Sequence, residues 1–316
     1  MANKTVPGVE FLQHPIEGVS VVIPCKNEEG AVGQTVEEVA QALDSTGLDY
    51  EVIVVDDGST DATRTNAVEA GARVVSHGMN LGYGNAVMTG IARANYPVIA
   101  MLDADGTYLA SDLPRMLDEA RRYDMVIGKR TWNNNNTSLL GRVFRKLLYY
   151  VILYFTNTKA PDYNSGLRVF HRHDILKYRG ILCPKFSFTT SLTLIFLLTF
   201  KSVLFLPTEY KPRIGRSHVR YFRDALMTFS YIFVIVNMFQ AYRLSLFVIG
   251  VGIFLNAFVW LLAVLAELSA ATQVGLHLTA CLVIVVGALA MNTYASARSC
   301  LGSLKVSEAC APRGDE

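Results

Sequence analysis

Cysteine is sparse. Cys25, Cys183, Cys281, Cys300 and Cys310 make an odd set in 316 residues, with no CxxC pair and no Cys/His ligand spacing. That pattern excludes a disulfide scaffold and a structural zinc site, and leaves reduced thiols as the reading. Charge is scarce too: 18% of residues are charged, and 29 basic against 27 acidic side chains leave a net charge of +2. No field of one sign is available to attract nucleic acid, so no nucleic-acid partner is expected. A glycine cradle for phosphate is missing as well. The first strand-like run is followed by Pro24-Cys25-Lys26-Asn27-Glu28-Glu29, and neither GxGxxG nor Walker A occurs, which argues against a dinucleotide or P-loop site. Residues 1–17 contain no apolar core of the signal-peptide kind, so the N-terminal part is expected to stay cytoplasmic.

Apolar residues are abundant, at 51% with a mean hydropathy of +0.29, which excludes disorder. They crowd into the C-terminal third. Residues 244–266 and 276–297 are uncharged runs of 23 and 22 residues, and a spanning helix needs about 20. Residues 225–242 are uncharged but only 18 long. Arg213, Arg216, Arg220, Arg223 and Arg243 precede the first long run, and Arg298 and Lys305 follow the second. With two spans every one of these cations is cytoplasmic, so two spans are expected and 225–242 reads as an interfacial helix under the N-terminal domain. Residues 139–155, basic at one end and aromatic-rich, read either as an amphipathic core helix or as a second helix at anionic headgroups.

Before the apolar third, strand-like runs (19–24, 51–55, 73–76, 98–102, 125–127) alternate with helical patterns (30–45, 61–70, 84–94, 113–122). This order predicts an α/β, mostly parallel, Rossmann-like sheet with helices on both faces. Ligands of such sheets sit at the carboxyl ends of the strands. Lys26-Asn27-Glu28, Asp56-Asp57 and Asp103-Ala104-Asp105 all fall there. Carboxylates at strand ends without a glycine cradle suit a divalent cation, Mg²⁺ or Mn²⁺, which neutralises phosphate oxygens. The expectation is that Asp57, Asp103 and Asp105 gather around one ion.

Five motifs then carry a resemblance: VSVVIPCKNEE (19–29), YEVIVVDDGSTDAT (50–63), NLGYGNAVMTGI (80–91), MLDADGTY (101–108) and DYNSGLRVF (162–170). Their order and spacing resemble the inverting glycosyltransferases of family two with the GT-A fold, over most of residues 18–170. Within that family the chain is similar to the polyprenyl-phosphate sugar synthases. The resemblance implies that Pro24, Asn27 and Glu28 line the nucleotide pocket, that Asp56 or Asp57 holds the base or ribose, and that Asp103, with Ala104, meets the ribose or metal. It implies Asp105 as principal metal ligand, and Gly82 and Gly84 as points where backbone approaches the donor. Tyr83 stands where many members have Lys. Asp162 matches a position proposed as base, and Arg130, Arg168, Arg213 and Arg216 are candidates for the acceptor phosphate. For Asp162 the other reading is a turn-forming Asp; for Arg213 and Arg216 it is positive-inside anchoring.

The expected layout is an arm (1–17), a GT-A domain (18–222), an interfacial helix (223–243), a transmembrane hairpin (244–298) and a cytoplasmic tail (299–316). The expected activity is inverting transfer of a sugar from a UDP- or GDP-sugar to a polyprenyl phosphate by a membrane-bound enzyme, with a homo-oligomer open. Two other readings are a polysaccharide synthase, against which Leu244 stands where a QxxRW pattern needs Trp, and a silent nucleotide-sugar-binding scaffold. Residues 185–190 are expected on the acceptor side and 133–136 in a polar loop. His77, His171, His173 and His218 form no metal-like set and are read as structural.

Overall fold

Every residue of β1 (Gly18–Cys25) is buried, which requires cover on both faces of the sheet. One cover is α1 (Val32–Asp44), whose buried Val32, Thr35, Val36, Val39 and Leu43 recur at helical spacing. They join Val19, Val21 and Ile23 in one apolar cluster. The other is α3 (Tyr83–Arg93), which lies so close at Gly90 that an added Cβ would stand 2.4 Å from a methyl of Val22. The computed structural model describes residues 15–131, 139–185, 187–212 and 221–265, and residues 274, 275, 277, 278, 281, 284, 285 and 289.

The remaining elements of the sheet region are β2 (Asp49–Asp56), α2 (Thr63–Glu69), β3 (Arg73–Ser76), β4 (Val98–Met101), α4 (Leu113–Ala120), β5 (Met125–Arg130), α5 (Leu139–Thr156), β6 (Arg168–His171), α6 (Arg172–Leu176), α7 (Phe188–Leu198) and β7 (Val203–Thr208). The strands are ordered β3-β2-β1-β4-β6-β5-β7. β6 alone runs against its neighbours, pairing antiparallel with both β4 and β5, while β5 and β7 are parallel. The expected mostly parallel sheet is therefore present; β6 and β7 have no counterpart in the sequence reading.

The reversal of β6 positions the site. Met101, at the end of β4, pairs with Arg168, at the start of β6. The chain entering β6 thus lies beside the chain leaving β4, and residues 162–168 reach the same edge as 103–105. Arg130 at the end of β5 and Thr208 at the end of β7 are register partners at that edge. Pro24 sits two residues past the β1–β4 pairing, which runs from Val19 to Val22, so its missing N–H removes no ladder bond on that side.

The chain divides into two units, Met1–Thr228 and Phe229–Glu316. α8 (Tyr221–Leu265) is interrupted at Gln240, where φ is −142° and ψ is 40°. Two helices thus meet at Gln240, close to the boundary at residue 243 expected between the interfacial segment and the first span. Its stretch Met227–Leu262 has a mean hydropathy of 2.3 and is long and apolar enough to cross a membrane. Thirty-six residues rise about 54 Å, well beyond a hydrocarbon core of about 30 Å. The break at Gln240 splits that length. Beyond it Ile253, Phe254, Phe258 and Trp260 are each at least half exposed, a display suited to lipid rather than water. Within this unit Asn256 contacts His277 and Cys281, and Gly252 faces Ile284. The rest of the second expected span, the polar loop at 133–136, Arg213, Arg216 and His218 lie outside the described residues.

Candidate active site

The loop leaving β1 is stitched to the loop leaving β2. Asn27 takes φ +54°, a left-handed conformation that Asn tolerates better than most residues. Its amide donates to Ser59 Oγ, and its Oδ1 accepts the Thr60 amide. The Glu28 amide donates to Thr63 Oγ1, and the Ala62 amide to Glu29 Oε2. Asp61 accepts the Thr63 amide and hydroxyl through Oδ1, tightening the turn that leads into α2. Asp56 is buried and accepts the Ser59 amide. Pro24, Asn27, Glu28 and Asp56 therefore form one continuous wall. Cys25 beside it is inert: burial, reinforced by Asp56 and Glu28, holds its thiol far above the usual range, so it does not ionise.

Asp57 turns away from that wall. Its Oδ1 accepts the Leu81 amide at 2.8 Å and lies 2.8 Å from His77 Nδ1, and its Oδ2 accepts the Gly82 amide at 2.8 Å. The expected trio around one ion is corrected accordingly. Among the described residues no three His, Cys, Asp or Glu side chains are arranged to hold a metal, and Asp57 fastens the loop before α3. Gly82 and Gly84 are packed against the chain itself. Gly82 has φ +100°, and a Cβ on Gly84 would stand 2.1 Å from the Cys183 carbonyl oxygen and 2.8 Å from the Pro184 carbonyl carbon. The glycines admit the protein's own backbone at 183–185.

Asp103 and Asp105 follow β4. Asp105 is 6% exposed, and its Oδ1 accepts both the amide and the hydroxyl of Thr107. Asp103 Oδ1 accepts the Tyr83 hydroxyl at 2.9 Å. Burial, then the neighbouring Asp103 charge, pushes the Tyr83 phenol well above its ordinary value, so it stays a donor. A Cβ on Gly166 would lie 2.4 Å from Asp103 Oδ2. Only glycine lets the 162–168 turn approach the Asp103 carboxylate so closely. Two carboxylates at one strand end, one of them locked by Thr107, are a hard-oxygen donor set that fits Mg²⁺ or Mn²⁺.

Asp162 and Arg130 meet as a fork: Nε to Oδ2 at 2.9 Å, Nη2 to Oδ1 at 2.7 Å, with the Arg130 amide also donating to Oδ2 at 3.0 Å. Burial pulls the Arg130 guanidinium down, but the bonds to Asp162 outweigh it and the net shift is upward. The Tyr210 ring lies 5.4 Å from the guanidinium carbon and packs edge-on against Tyr108. The Tyr108 hydroxyl accepts the Gly166 amide at 2.7 Å.

Arg168 does not reach this surface. It is fully buried and donates to the Ser165 and Tyr163 carbonyls and to Thr193 Oγ1. Desolvation lowers its pKa to about 10. The expectation of a phosphate-binding Arg168 is corrected: it shapes the turn from within. Thr189 and Thr190, at the start of α7, donate to Asn164 Oδ1, so α7 abuts the same turn. Tyr210 and Thr193 were missed because β6 and β7 went unread; Tyr108 lay inside a quoted motif without a role, and His77 was read as structural only.

The family model for glycosyl transferase family 2 matches residues 20–179. Among solved structures, glucosyl-3-phosphoglycerate synthase from Mycobacterium tuberculosis in complex with Mg²⁺ and UDP is similar at 19% identity and a TM-score of 0.57, over 69% of this chain and 79% of that one. The same enzyme with Mn²⁺, UDP-glucose and phosphoglyceric acid gives 18% identity and 0.58 over the same shares. At these identities the likeness is one of fold.

Proposed function

This chain belongs to glycosyl transferase family 2, and we propose that it transfers a sugar from a nucleotide sugar to a polyprenyl phosphate at a membrane, inverting the anomeric centre. The reading of the donor site rests on one observation: the Asp103–Asp105 loop is clasped between Tyr83 and Gly166. The loops carrying Pro24, Asn27, Glu28 and Asp56 form the nucleotide wall beside it. Asp103 and Asp105, with Ala104 between them, would hold Mg²⁺ or Mn²⁺ through their carboxylate oxygens. When bound, the ion supplies Lewis-acid neutralisation of the charge on the departing diphosphate. UDP is the nucleotide favoured, since structural neighbours hold UDP and UDP-glucose.

The chemistry is a single displacement. A phosphate oxygen of the acceptor attacks the anomeric carbon as the bond from that carbon to the diphosphate oxygen breaks, and the nucleoside diphosphate leaves with the electron pair. A phosphate monoester has its second pKa near ~6 and is mostly ionised at neutral pH, so a strong base is dispensable. The Arg130 fork accordingly favours Asp162 as the group that orients this end of the site. Asp162 fixes the guanidinium plane, and Arg130 offers positive charge to the acceptor phosphate.

The acceptor is a lipid in this reading because the same chain carries Met227–Leu262. The segment beyond Gln240 anchors the enzyme, with residues 276–297 as a returning second span and the catalytic domain and termini cytoplasmic. α5 adds a surface for the bilayer. Its buried Leu148, Ile152 and Phe155 face the core, while Leu147, Tyr150 and Tyr154 are exposed alongside exposed Arg142 and Lys146. No acidic residue occurs between 125 and 161, which suits anionic headgroups.

The test uses the full chain in detergent with UDP- and GDP-sugars, Mn²⁺ and a short polyprenyl phosphate. Asp105→Ala is expected to abolish metal-dependent transfer and Mn²⁺ binding alike. Near-normal transfer by that variant overturns the donor site, and transfer to phosphoglycerate but not to the lipid overturns the acceptor.

A further inference from the structure

A chain of five contacts runs from the end of β3 to the Asp103 carboxylate. His77 follows β3. Its Nε2 lies 3.0 Å from Thr89 Oγ1, in the second turn of α3, and its Nδ1 lies 2.8 Å from Asp57 Oδ1. The His77 and Asp57 side chains are 9% and 7% exposed. A carboxylate only accepts, so Nδ1 carries the proton toward Asp57, and in the neutral ring Nε2 accepts from the Thr89 hydroxyl. Asp57 also accepts the Leu81 and Gly82 amides, each at 2.8 Å.

Two consecutive amides point at one carboxylate only if Leu81, which lies between them, is turned; Gly82 follows at φ +100° and redirects the chain into α3. Gly82 is also the residue from which α3 starts. Its orientation therefore decides where the next side chain goes, and that side chain is Tyr83, whose hydroxyl donates to Asp103 Oδ1 at 2.9 Å. Met79 and Leu81 on the same loop are exposed, so little apolar packing holds it. The hydrogen bonds to Asp57 hold it, together with the bond from Asn85 Nδ2 to the Leu81 carbonyl and the close approach of Gly82 to residues 184 and 185, and His77 fixes the plane of the Asp57 carboxylate.

We propose that His77 is a positioning residue for Asp103, acting through Asp57, the Leu81 and Gly82 amides and the Tyr83 hydroxyl. This rests on the reading of Asp103 and Asp105 as the divalent-cation site. Hydrogen bonds behind a metal ligand set how well that ligand is aimed, and losing one typically costs metal affinity about 10–100-fold.

The experiment measures Mn²⁺ binding to the full chain in detergent with UDP present, together with amide exchange across residues 79–84. His77→Leu removes both ring bonds and is expected to raise half-saturating Mn²⁺ at least about 10-fold and to speed exchange at Leu81 and Gly82. His77→Asn, whose amide donates from nearly the Nδ1 position, is expected to recover most of that loss. Thr89→Val, which removes only the outer hydroxyl, is expected to give a smaller rise of about 3-fold, and it decides the matter should His77→Leu fail to fold. A staple with no bearing on the metal would lower unfolding temperature in all three variants and leave half-saturation unmoved; that result overturns the inference. Asp105→Ala in the same titration separates the two claims. Unchanged Mn²⁺ binding there overturns the functional reading, whereas lost binding there with normal binding by the His77 and Thr89 variants overturns the role of His77 alone.

Discussion

A guanidinium is costly to bury, and Arg168 is fully buried with carbonyls and a hydroxyl as its partners. Its planar fork reaches the Ser165 carbonyl, the Tyr163 carbonyl and Thr193 at once, which an ammonium on a single stem does not reproduce. Arg168→Lys should therefore lower stability by about 3 kcal/mol, the scale of breaking a buried polar network, measured by thermal unfolding of the full chain. Asp162→Ala should act differently: it strands the Arg130 charge, whose side chain is 15% exposed, so transfer and stability should fall together. Asp162→Asn keeps an acceptor for Nε and should depress transfer while sparing donor binding, read from UDP affinity. The sequence placed Asp56, Asp57, Asp103 and Asp105 near one edge because a strand end locates a residue to within one or two positions, whereas Asp162 came from the family resemblance alone. It left open which way each carboxylate points. That depends on Gly82, Gly166 and Thr107, whose contacts are tertiary.

Elements explain the remaining differences. α1 to α4 and five strands were legible because 3.6-residue and buried-strand patterns are local. β6 was not: four residues, Arg168–His171, carry no period, and the antiparallel direction that delivers residues 162–168 to the site has no signature in sequence. α3 shows what close packing demands. A Cβ on Gly84 would meet the Cys183 oxygen at 2.1 Å, and backbone on both sides leaves little room to yield. Gly84→Ala should cost about 3 kcal/mol, or roughly 6–12 °C in unfolding temperature. Gly78→Ala, with nothing within 4 Å of its Cβ, should stay within about 0.5 kcal/mol. The joint between β5 and β7 predicts an acid response. Burial raises the Asp124 carboxyl, but bonds from Ser202 and Lys201 more than reverse this, and its net pKa is lowered. The unfolded chain then binds the proton more readily, so this joint stabilises the fold above pH ~4 and is lost as pH falls through the lower folded value. Asp124→Asn should flatten unfolding temperature against pH below ~4.

For the whole molecule, the order of a catalytic unit followed by an apolar one was legible from where hydrophobic residues accumulate. The kink at Gln240 was not, since a kinked pair of helices and one straight helix share one hydropathy profile. A family 2 unit and a membrane-length helix in one chain give the account its central claim, that the sugar acceptor is a lipid phosphate. The direct measurement incubates membranes bearing the full chain with Mn²⁺, polyprenyl phosphate and a panel of labelled UDP- and GDP-sugars, and follows label into organic-extractable lipid. The account predicts a lipid-linked sugar that requires the added polyprenyl phosphate and disappears in Asp105→Ala. Label that stays wholly in the water phase with every donor, or that enters lipid undiminished in Asp105→Ala, would contradict it.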